Sequence, residues 1–319
     1  MTAVPAVDVA TAVANAAGSA APIGIFDSGV GGLSILRHIR AQLPQEHLLY
    51  VADSAFAPYG DKPEQVVAAR SLIIADFLVA RGAKALVVAC NTATVAAIKA
   101  LRLHYPDMPI VGVEPGLKPA AAASHSGKVG VLATDVTLHG AKFLALREQV
   151  SAASSVEFLL QPCVGLVDQI ELGDLGASEI SAMLKRYITP LLAQGADTIV
   201  LGCTHYPLVR ATIEKVIAAA TDAPVTLVDT GDAVARQLAR LLTQGGLLRG
   251  ETGAGAGAGA GAYADVSAGE NVGKASLEAF TSASVTALSK AFSNLVGLTP
   301  PVSQVRFPEP ALTGFPAPV

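Results

Sequence analysis

Two of the chain's three cysteines occupy the same kind of local position. Cys90 lies in VVACNTATVAAI (87–98) and Cys203 lies in VLGCTHYPLVRATI (200–213). Each follows a short apolar run that predicts a strand and precedes a pattern that predicts a helix. A helix N-terminus favours a thiolate, and α/β proteins bind ligands at the carboxyl ends of their strands. The pattern therefore indicates two activated thiols that meet across one cleft.

Polar residues next to these cysteines could assist a reaction at the thiols. His205 lies two residues after Cys203 and could assist its proton transfer, and Asp27 at the end of the first strand could do the same for Cys90. Glu171 is a further carboxylate expected near the cleft. Hydrogen-bond donors that suit a small carboxylate follow the cysteines; they are Asn91, Thr92 and Thr204.

Other interpretations of these residues stay open at this point. A buried cysteine in a strand is most often a small core residue. DSGVGG (27–32) could be a dinucleotide-binding turn, although it lacks the full G-x-G-x-x-G register. Cys90, Cys203 and His205 could bind zinc, but there is no C-x-x-C pair and the ligand set is incomplete, so no metal is expected. The missing C-x-x-C also argues against disulfide exchange.

Strand-like and helix-like segments alternate from residue 22 to about 243, which predicts parallel sheets covered on both faces. The scheme restarts at KVGVLATDVTL (128–138), which resembles PIGIFDSGVGG (22–32). The separation from Thr134 to Cys203 is similar to that from Asp27 to Cys90. The fold class expected is therefore α/β, with two similar parallel-sheet domains related by pseudo-twofold symmetry and an active site in the cleft between them.

The composition limits the compartment and the partners. The chain is 51% hydrophobic and 15% charged, with a net charge of −4, so it is globular and has no general attraction to nucleic acid or anionic lipid. Its three cysteines cannot all pair, which favours a reducing compartment, the cytoplasm. Apolar runs stay short of the roughly 18 residues that a membrane span requires.

Changes in composition along the chain predict the limits of the domains. Residues 22–115 and 228–298 would form the first domain, and residues 116–227 the second. A Gly/Ala-rich insertion is expected at about 245–272, with GAGAGAGAGA at 253–262, and a helical pattern covers 276–297. Residues 1–21 and 299–319 are expected to be tails, although AGSA (17–20) also looks like a signal-cleavage site.

Seven motifs in family order resemble those of the glutamate racemases, in the aspartate/glutamate racemase family. They are GIFDSGVGGLSIL (24–36), ADSAFAPYGDK (52–62), VVACNTAT (87–94), VGVEPG (111–116), GVLAT (130–134), LGCTHYPL (201–208) and VDTG (228–231). The resemblance implies an enzyme that interconverts L- and D-glutamate without a cofactor and supplies D-glutamate for peptidoglycan. GCTHYPL favours glutamate over aspartate as substrate. A related acidic amino-acid racemase and a non-catalytic protein that binds a small acidic ligand remain the alternatives.

The resemblance also implies roles for single residues. Cys90 would take the α-proton from D-glutamate and Cys203 from L-glutamate, with Asp27, His205 and Glu171 as helpers. The implied substrate contacts are Asp27, Ser28, Tyr59, Gly60, Asn91, Thr92, Thr134, Thr204 and His205. A homodimer is expected. The family's usual Cys-Pro reads Cys163-Val164 here, which weakens the assignment of Glu171, and Cys163 itself is expected to be structural.

Overall fold

Two parallel β-sheets with helices on both faces form the framework of the chain. The computed structural model describes residues 19–250 and 275–310. The strands, in chain order, are β1 (Ile23–Asp27), β2 (Leu48–Ala52), β3 (Ala85–Val88), β4 (Ile110–Gly112), β5 (Lys128–Ala133), β6 (Glu157–Pro162), β7 (Thr198–Leu201), β8 (Thr226–Val228), β9 (Leu277–Thr281) and β10 (Val302–Gln304).

Helices connect most of these strands. The α-helices are α1 (Leu33–Gln42), α2 (Glu64–Ala80), α3 (Asn91–His104), α4 (Leu117–Ala123), α5 (Asp135–His139), α6 (Ala141–Ser154), α7 (Leu166–Glu171), α8 (Ser178–Ala193), α9 (Arg210–Ala220), α10 (Gly231–Gln244) and α11 (Val285–Val296). Two short 3₁₀ turns cover Tyr59–Asp61 and Tyr206–Val209.

The strand order contains a repeat. The first sheet runs β10-β9-β2-β1-β3-β4 and the second runs β6-β5-β7-β8, and every strand pair is parallel. The order β2-β1-β3-β4 therefore recurs as β6-β5-β7-β8. This confirms the predicted pair of similar parallel-sheet α/β domains.

The central strands of each sheet are buried on both faces. Every residue of β1, β2 and β3 is buried, as expected for apolar runs in a sheet between two helical layers. One apolar cluster packs on each face of the first sheet, and two further clusters pack on the second. The carboxyl ends of the strands are thereby held in a fixed frame.

The C-terminal part of the first domain differs from the sequence-based expectation in two places. The predicted helical segment at 276–297 begins with strand β9, which pairs with β2, and helix α11 starts only after Ser284 caps it. The predicted tail at 299–319 contains strand β10 on the sheet edge. Buried Val305 continues this packing, because an apolar residue beside the sheet gains from leaving water.

The other predicted irregular segments lie partly outside the described residues. Residues 1–18, 251–274 and 311–319 are outside them. At the edge of the N-terminal segment, Ser19 accepts a hydrogen bond from Lys84 Nζ at 2.6 Å, so the expected tail is anchored by residue 19. At the start of the insertion, Leu247 and Leu248 pack on the first-domain core.

Candidate active site

The first domain supplies a thiol at the start of a helix. Cys90 follows β3 and caps α3, where its Sγ accepts the backbone N–H of Ala93 at 3.5 Å. The residue is 5% exposed. Burial, and after it the charge of Asp27, raises the pKa of the Cys90 thiol. Cys90 is therefore a protonated thiol in this arrangement, with its proton available to an acceptor in the cleft.

Ser28 connects Cys90 to Asp27. The Cys90 Sγ lies 3.8 Å from Ser28 Oγ, and Ser28 Oγ lies 3.4 Å from Asp27 Oδ1. Asp27 also accepts the backbone N–H of Gly32 at 2.7 Å. Burial raises the pKa of Asp27, although His205 and the Gly32 N–H act in the opposite direction. A raised pKa makes a carboxylate a better proton acceptor than it would be in water.

The second domain supplies the other thiol with a different set of neighbours. Cys203 Sγ lies 3.6 Å from His205 Nδ1, and His205 Nε2 lies 2.6 Å from Glu171 Oε1. Cys203 follows β7 after one glycine, but it does not cap a long helix as expected. A 3₁₀ turn begins at Tyr206 and α9 begins only at Arg210, so this sulfur has the His205 ring as its partner in place of a long helix N-terminus.

The contact between His205 and Glu171 shifts the pKa of each group in the direction that favours its charged form. Burial alone lowers the pKa of His205, but hydrogen bonds to Cys203 and Glu171 and their negative charges outweigh it and raise this pKa well above its ordinary value. Burial alone raises the pKa of Glu171, and the hydrogen bond and charge of His205 reverse the sign, so the net shift is downward. His205 therefore lies between the Cys203 sulfur and the Glu171 carboxylate as a link for proton transfer.

The glycine-rich loop after β1 brings the two domains into contact. The backbone N–H of Val30 donates to Glu171 Oε1 at 2.9 Å, and Ser34 Oγ donates to the carbonyl of Thr204 at 2.8 Å. A Cβ on Gly29 would lie 2.2 Å from Glu171 Oε1, and one on Gly31 would lie 2.4 Å from His205 Nδ1. Glycine is required at both positions because the catalytic candidates of the second domain approach the backbone itself.

The remaining predicted substrate-contact residues lie at the ends of the elements around this cleft. Asn91 and Thr92 start α3, and Thr134 caps α5 by accepting from the Thr137 N–H. The 3₁₀ turn that contains Tyr59 and Gly60 contacts α5 across the cleft. The Tyr59 hydroxyl donates to Asp53 at 2.7 Å, so it points into the first domain.

Sequence reasoning missed three residues of this region: Asp53, Arg70 and Ser34. Asp53 lies in the ADSAFAPYGDK motif, which is the one signal that could have identified it. Ser34 lies on α1, and its contact with Thr204 joins residues 170 apart in sequence. Periodicity does not encode such cross-domain contacts.

Cys163, expected to be structural, is buried in the second-domain core. It is 2% exposed, and burial raises the pKa of its thiol to about 12. Within residues 19–250 and 275–310 no cluster of His, Cys, Asp or Glu is arranged to hold a metal ion. Over the same ranges no helix is long and apolar enough to cross a membrane.

Comparison with known proteins identifies the class. Residues 23–238 match the family model of the Asp/Glu/hydantoin racemases. The chain belongs to this family, and it is an isomerase of the racemase class. This confirms the family that the motifs predicted.

Similar proteins within the family are glutamate racemases. The chain is 56% identical over 231 residues to the glutamate racemase of Pseudomonas syringae pv. tomato, covering 72% of this chain and 82% of the relative. It is 54% identical to that of Pseudomonas aeruginosa, covering 72% and 84%.

Solved structures agree with this assignment of the fold. The glutamate racemase isoform RacE1 of Bacillus anthracis superposes with a TM-score of 0.72 at 28% identity, covering 89% of this chain and 97% of that one. The Escherichia coli enzyme, solved with L-glutamate and the activator UDP-MurNAc-Ala, gives 0.71 at 29% identity, covering 90% and 99%.

Proposed function

We propose that this chain interconverts L- and D-glutamate by proton transfer between two cysteines, with no cofactor. One observation carries the proposal. Cys90 and Cys203 follow the equivalent third strands of two repeated domains, and each sulfur has its own proton-transfer partners. A core role for both cysteines does not account for these two partner sets.

The repeat suits a reaction with two faces. Racemisation removes the α-proton from one face of the carbon and returns a proton to the opposite face. One base cannot easily reach both faces of a fixed carbon, so two groups are needed, one thiolate and one thiol. These groups exchange protonation states in each turnover.

The charges favour one starting state. Cys203 has His205 as its hydrogen-bond partner, and His205 is in turn paired with Glu171, so Cys203 is assigned the role of the base. The raised pKa of Cys90 keeps it a thiol. A site in this state has Cys203 ready to remove a proton and Cys90 ready to donate one. By resemblance to the family this is the form that receives L-glutamate.

The return direction uses the other partner set. Cys90 must lose its proton before it can act as a base on D-glutamate. Ser28 offers a path for that proton to Asp27, whose raised pKa makes it a better proton acceptor than an ordinary carboxylate. Asp27 is thus a helper of Cys90 through the serine hydroxyl.

The α-proton of an amino acid is far less acidic than a thiol, so the site must stabilise the negative charge that develops on the substrate. Asn91, Thr92 and Thr204 start the segments after the two cysteines and can donate to a carboxylate. One such oriented donor contributes roughly 3–4 kcal/mol to the transition state. Closure of the two domains around the substrate would exclude water and strengthen each contact.

Glutamate is proposed as the substrate because both reported relatives above 50% identity are glutamate racemases. The product D-glutamate would serve peptidoglycan synthesis. Three free cysteines suit a reducing compartment, so the cytoplasm is proposed as the location. The expected homodimer stays a prediction that sedimentation would test.

Circular dichroism of glutamate tests the proposal directly. The purified chain, with no added cofactor, should bring the signal of either pure enantiomer to zero, and aspartate in the same assay should react far more slowly. Equal rates on aspartate would reassign the substrate. Constant signals for both amino acids, with glutamate binding detected by calorimetry, would favour a non-catalytic binding protein.

A further inference from the structure

A buried ion pair lies beneath the turn that carries Tyr59. Arg70 Nε and Nη2 each donate to Asp53 at 2.8 Å, which gives a two-point contact, and Asp53 also accepts the Tyr59 hydroxyl at 2.7 Å. The three residues are 4%, 0% and 1% exposed, respectively. Burial and the charge of Asp53 raise the pKa of Tyr59 well above its ordinary value, so the phenol remains a donor.

The arginine of this cluster is itself fixed from a second direction. Its guanidinium lies over the rings of Phe56 and Phe307, at 4.6 and 5.1 Å from their centroids. Arg70 Nη1 also donates to the carbonyl of Pro308 at 2.8 Å. The segment after β10 therefore closes over Arg70, and all of its donor groups are directed by neighbours.

Stability alone is a weak reason for this arrangement. Well-packed apolar residues often replace a buried ion pair without loss of stability, because removing both charges from water is costly. A planar two-point contact between a guanidinium and a carboxylate instead fixes the orientation of both side chains. The direction fixed here is that of Asp53, which holds Tyr59 from inside the domain.

The turn held in this way faces the second domain. The 3₁₀ turn Tyr59–Asp61 contacts α5, whose cap Thr134 is one of the proposed substrate contacts. The same turn also contacts α3, the helix that Cys90 caps. The turn therefore lies between the ion pair and the proposed reaction site.

We propose that Asp53 and Arg70 are positioning residues for substrate binding: through the Tyr59 hydroxyl they hold the Tyr59–Gly60 turn at the distance from α5 that a bound amino acid requires. The inference rests on the proposed racemisation of glutamate and adds the groups that set its binding. Neither side chain is expected to touch the substrate.

The substitution Arg70→Lys tests the two-point contact, because lysine keeps the positive charge but loses the pair of parallel N–H donors. The matched control is Arg81→Lys at the C-terminal end of α2, the helix that also carries Arg70. Arg81 likewise lies over two aromatic rings, those of Phe77 and Phe280, and it is solvent-exposed. The control keeps the type of substitution and leaves the Tyr59 turn untouched.

The expected result is a change in KM. For Arg70→Lys we expect KM for both enantiomers to rise on the order of tenfold with kcat changed by less than about threefold, because a displaced turn loses binding shared by ground and transition states. Arg81→Lys should keep both constants within about twofold. A merely structural loss would lower the active fraction, which reduces apparent kcat and leaves KM unchanged.

Tyr59→Phe provides a second route that keeps the ring packed and removes only the hydroxyl. It should raise KM in the same direction, and the Arg70→Lys/Tyr59→Phe double variant should show less than the product of the two effects, since both act through Asp53. Wild-type KM in both single variants, or a loss confined to kcat, would overturn the positioning role while the racemase assignment stands. A wild-type chain that fails to racemise glutamate would overturn both.

Discussion

The two thiols have unlike surroundings although their strands are equivalent. Cys90 is a helix cap whose side-chain hydrogen-bond partner is the Ser28 hydroxyl, and Cys203 lies beside His205, whose pKa is raised. A racemase needs this inequality in each half-turnover, since one sulfur must be charged while the other carries a proton. The partner sets supply the inequality in the absence of substrate.

Serine in place of either thiol should remove activity and keep the fold. Cys90→Ser and Cys203→Ser should each lower kcat by at least roughly 10²–10⁴-fold, the usual range of one acid–base group. Serine is a preferred helix cap, so Cys90→Ser should change the free energy of unfolding by less than about 1 kcal/mol. Steady-state racemisation and thermal unfolding check both statements. Substantial turnover by either folded variant would rule out the two-thiol mechanism.

Asp27 and His205 should affect the two directions differently. Asp27→Asn should lower kcat most from D to L, because Asp27 serves Cys90, and His205→Asn should lower it most from L to D. An enzyme cannot move the equilibrium, so the ratio of the two kcat/KM values stays fixed and KM must compensate. Progress curves from each pure enantiomer, with α-deuterated substrate as the control for proton removal, measure the asymmetry. Equal losses in both directions would leave both residues as substrate binders only.

The Glu171–His205 pair should make stability depend on pH. The lowered pKa of Glu171 gives a contribution that is full above its ordinary value of 4.5 and lost as pH falls through the folded-state value. The raised pKa of His205 gives one that is full below 6.5 and lost as pH rises through its folded-state value.

The substitution Glu171→Gln should therefore lower the free energy of unfolding most between pH 4.5 and pH 6.5. We expect a loss of about 1–3 kcal/mol in the free energy of unfolding near pH 5.5, which shrinks in more acidic and in alkaline buffer. Denaturant titration of both proteins across pH provides the measurement. A difference that does not vary with pH would show that the pair carries no charge-dependent energy.

At the scale of elements, the ends of the Gly/Ala-rich insertion are fixed to neighbouring residues. Arg249 N–H donates to Glu46 Oε1 at 2.8 Å, and Ser276 N–H donates to His47 Nδ1 at 2.8 Å. Glu46 in turn pairs with buried Lys84 at 2.6 Å. These contacts hold the two ends close together independently of what lies between them.

Removal of residues 253–262 should consequently change little. Closing a shorter loop between ends that are already fixed alters the free energy of unfolding by about 0.5 kcal/mol, since length enters only logarithmically. We expect kcat, KM and Tm close to those of the full chain, and a Gly/Ser replacement of equal length serves as control. A large loss in the deletion alone would assign a packed role to this stretch.

The sequence predicted the sheets better than their edges. Buried strands such as β1 and β3 are continuous apolar runs between turn signals, which periodicity identifies. Strand β10 has three residues, two of them exposed, so its pattern resembles a tail and only pairing with β9 reveals it. Likewise, β9 precedes helix α11 so closely that the two segments together resemble one helical pattern.

The candidate site likewise contains some features that the local sequence predicts and others that it does not. Cys90 as a helix cap follows from the local pattern, and His205 beside Cys203 follows from their spacing. The contact of Glu171 with Val30 joins residues 141 apart in different domains, and no local signal encodes it. The inward direction of the Tyr59 hydroxyl depends on Asp53 and Arg70, which lie on other elements.

At the scale of the whole molecule, we propose that the two facing domains each act on one face of the substrate's α-carbon. This arrangement determines the source of the hydrogen that the product carries. A thiol exchanges its proton with solvent, so the hydrogen delivered to the opposite face comes from water.

Racemisation of L-glutamate in deuterium oxide tests this claim most directly. If two thiols transfer the protons, D-glutamate formed in the first turnovers carries deuterium at the α-carbon while the unreacted L-glutamate still carries protium. Mass spectrometry after chiral separation measures both. The mirror-image result should hold from D-glutamate. D-glutamate that retains the original protium, or an α-hydrogen that never exchanges, would contradict the two-thiol mechanism.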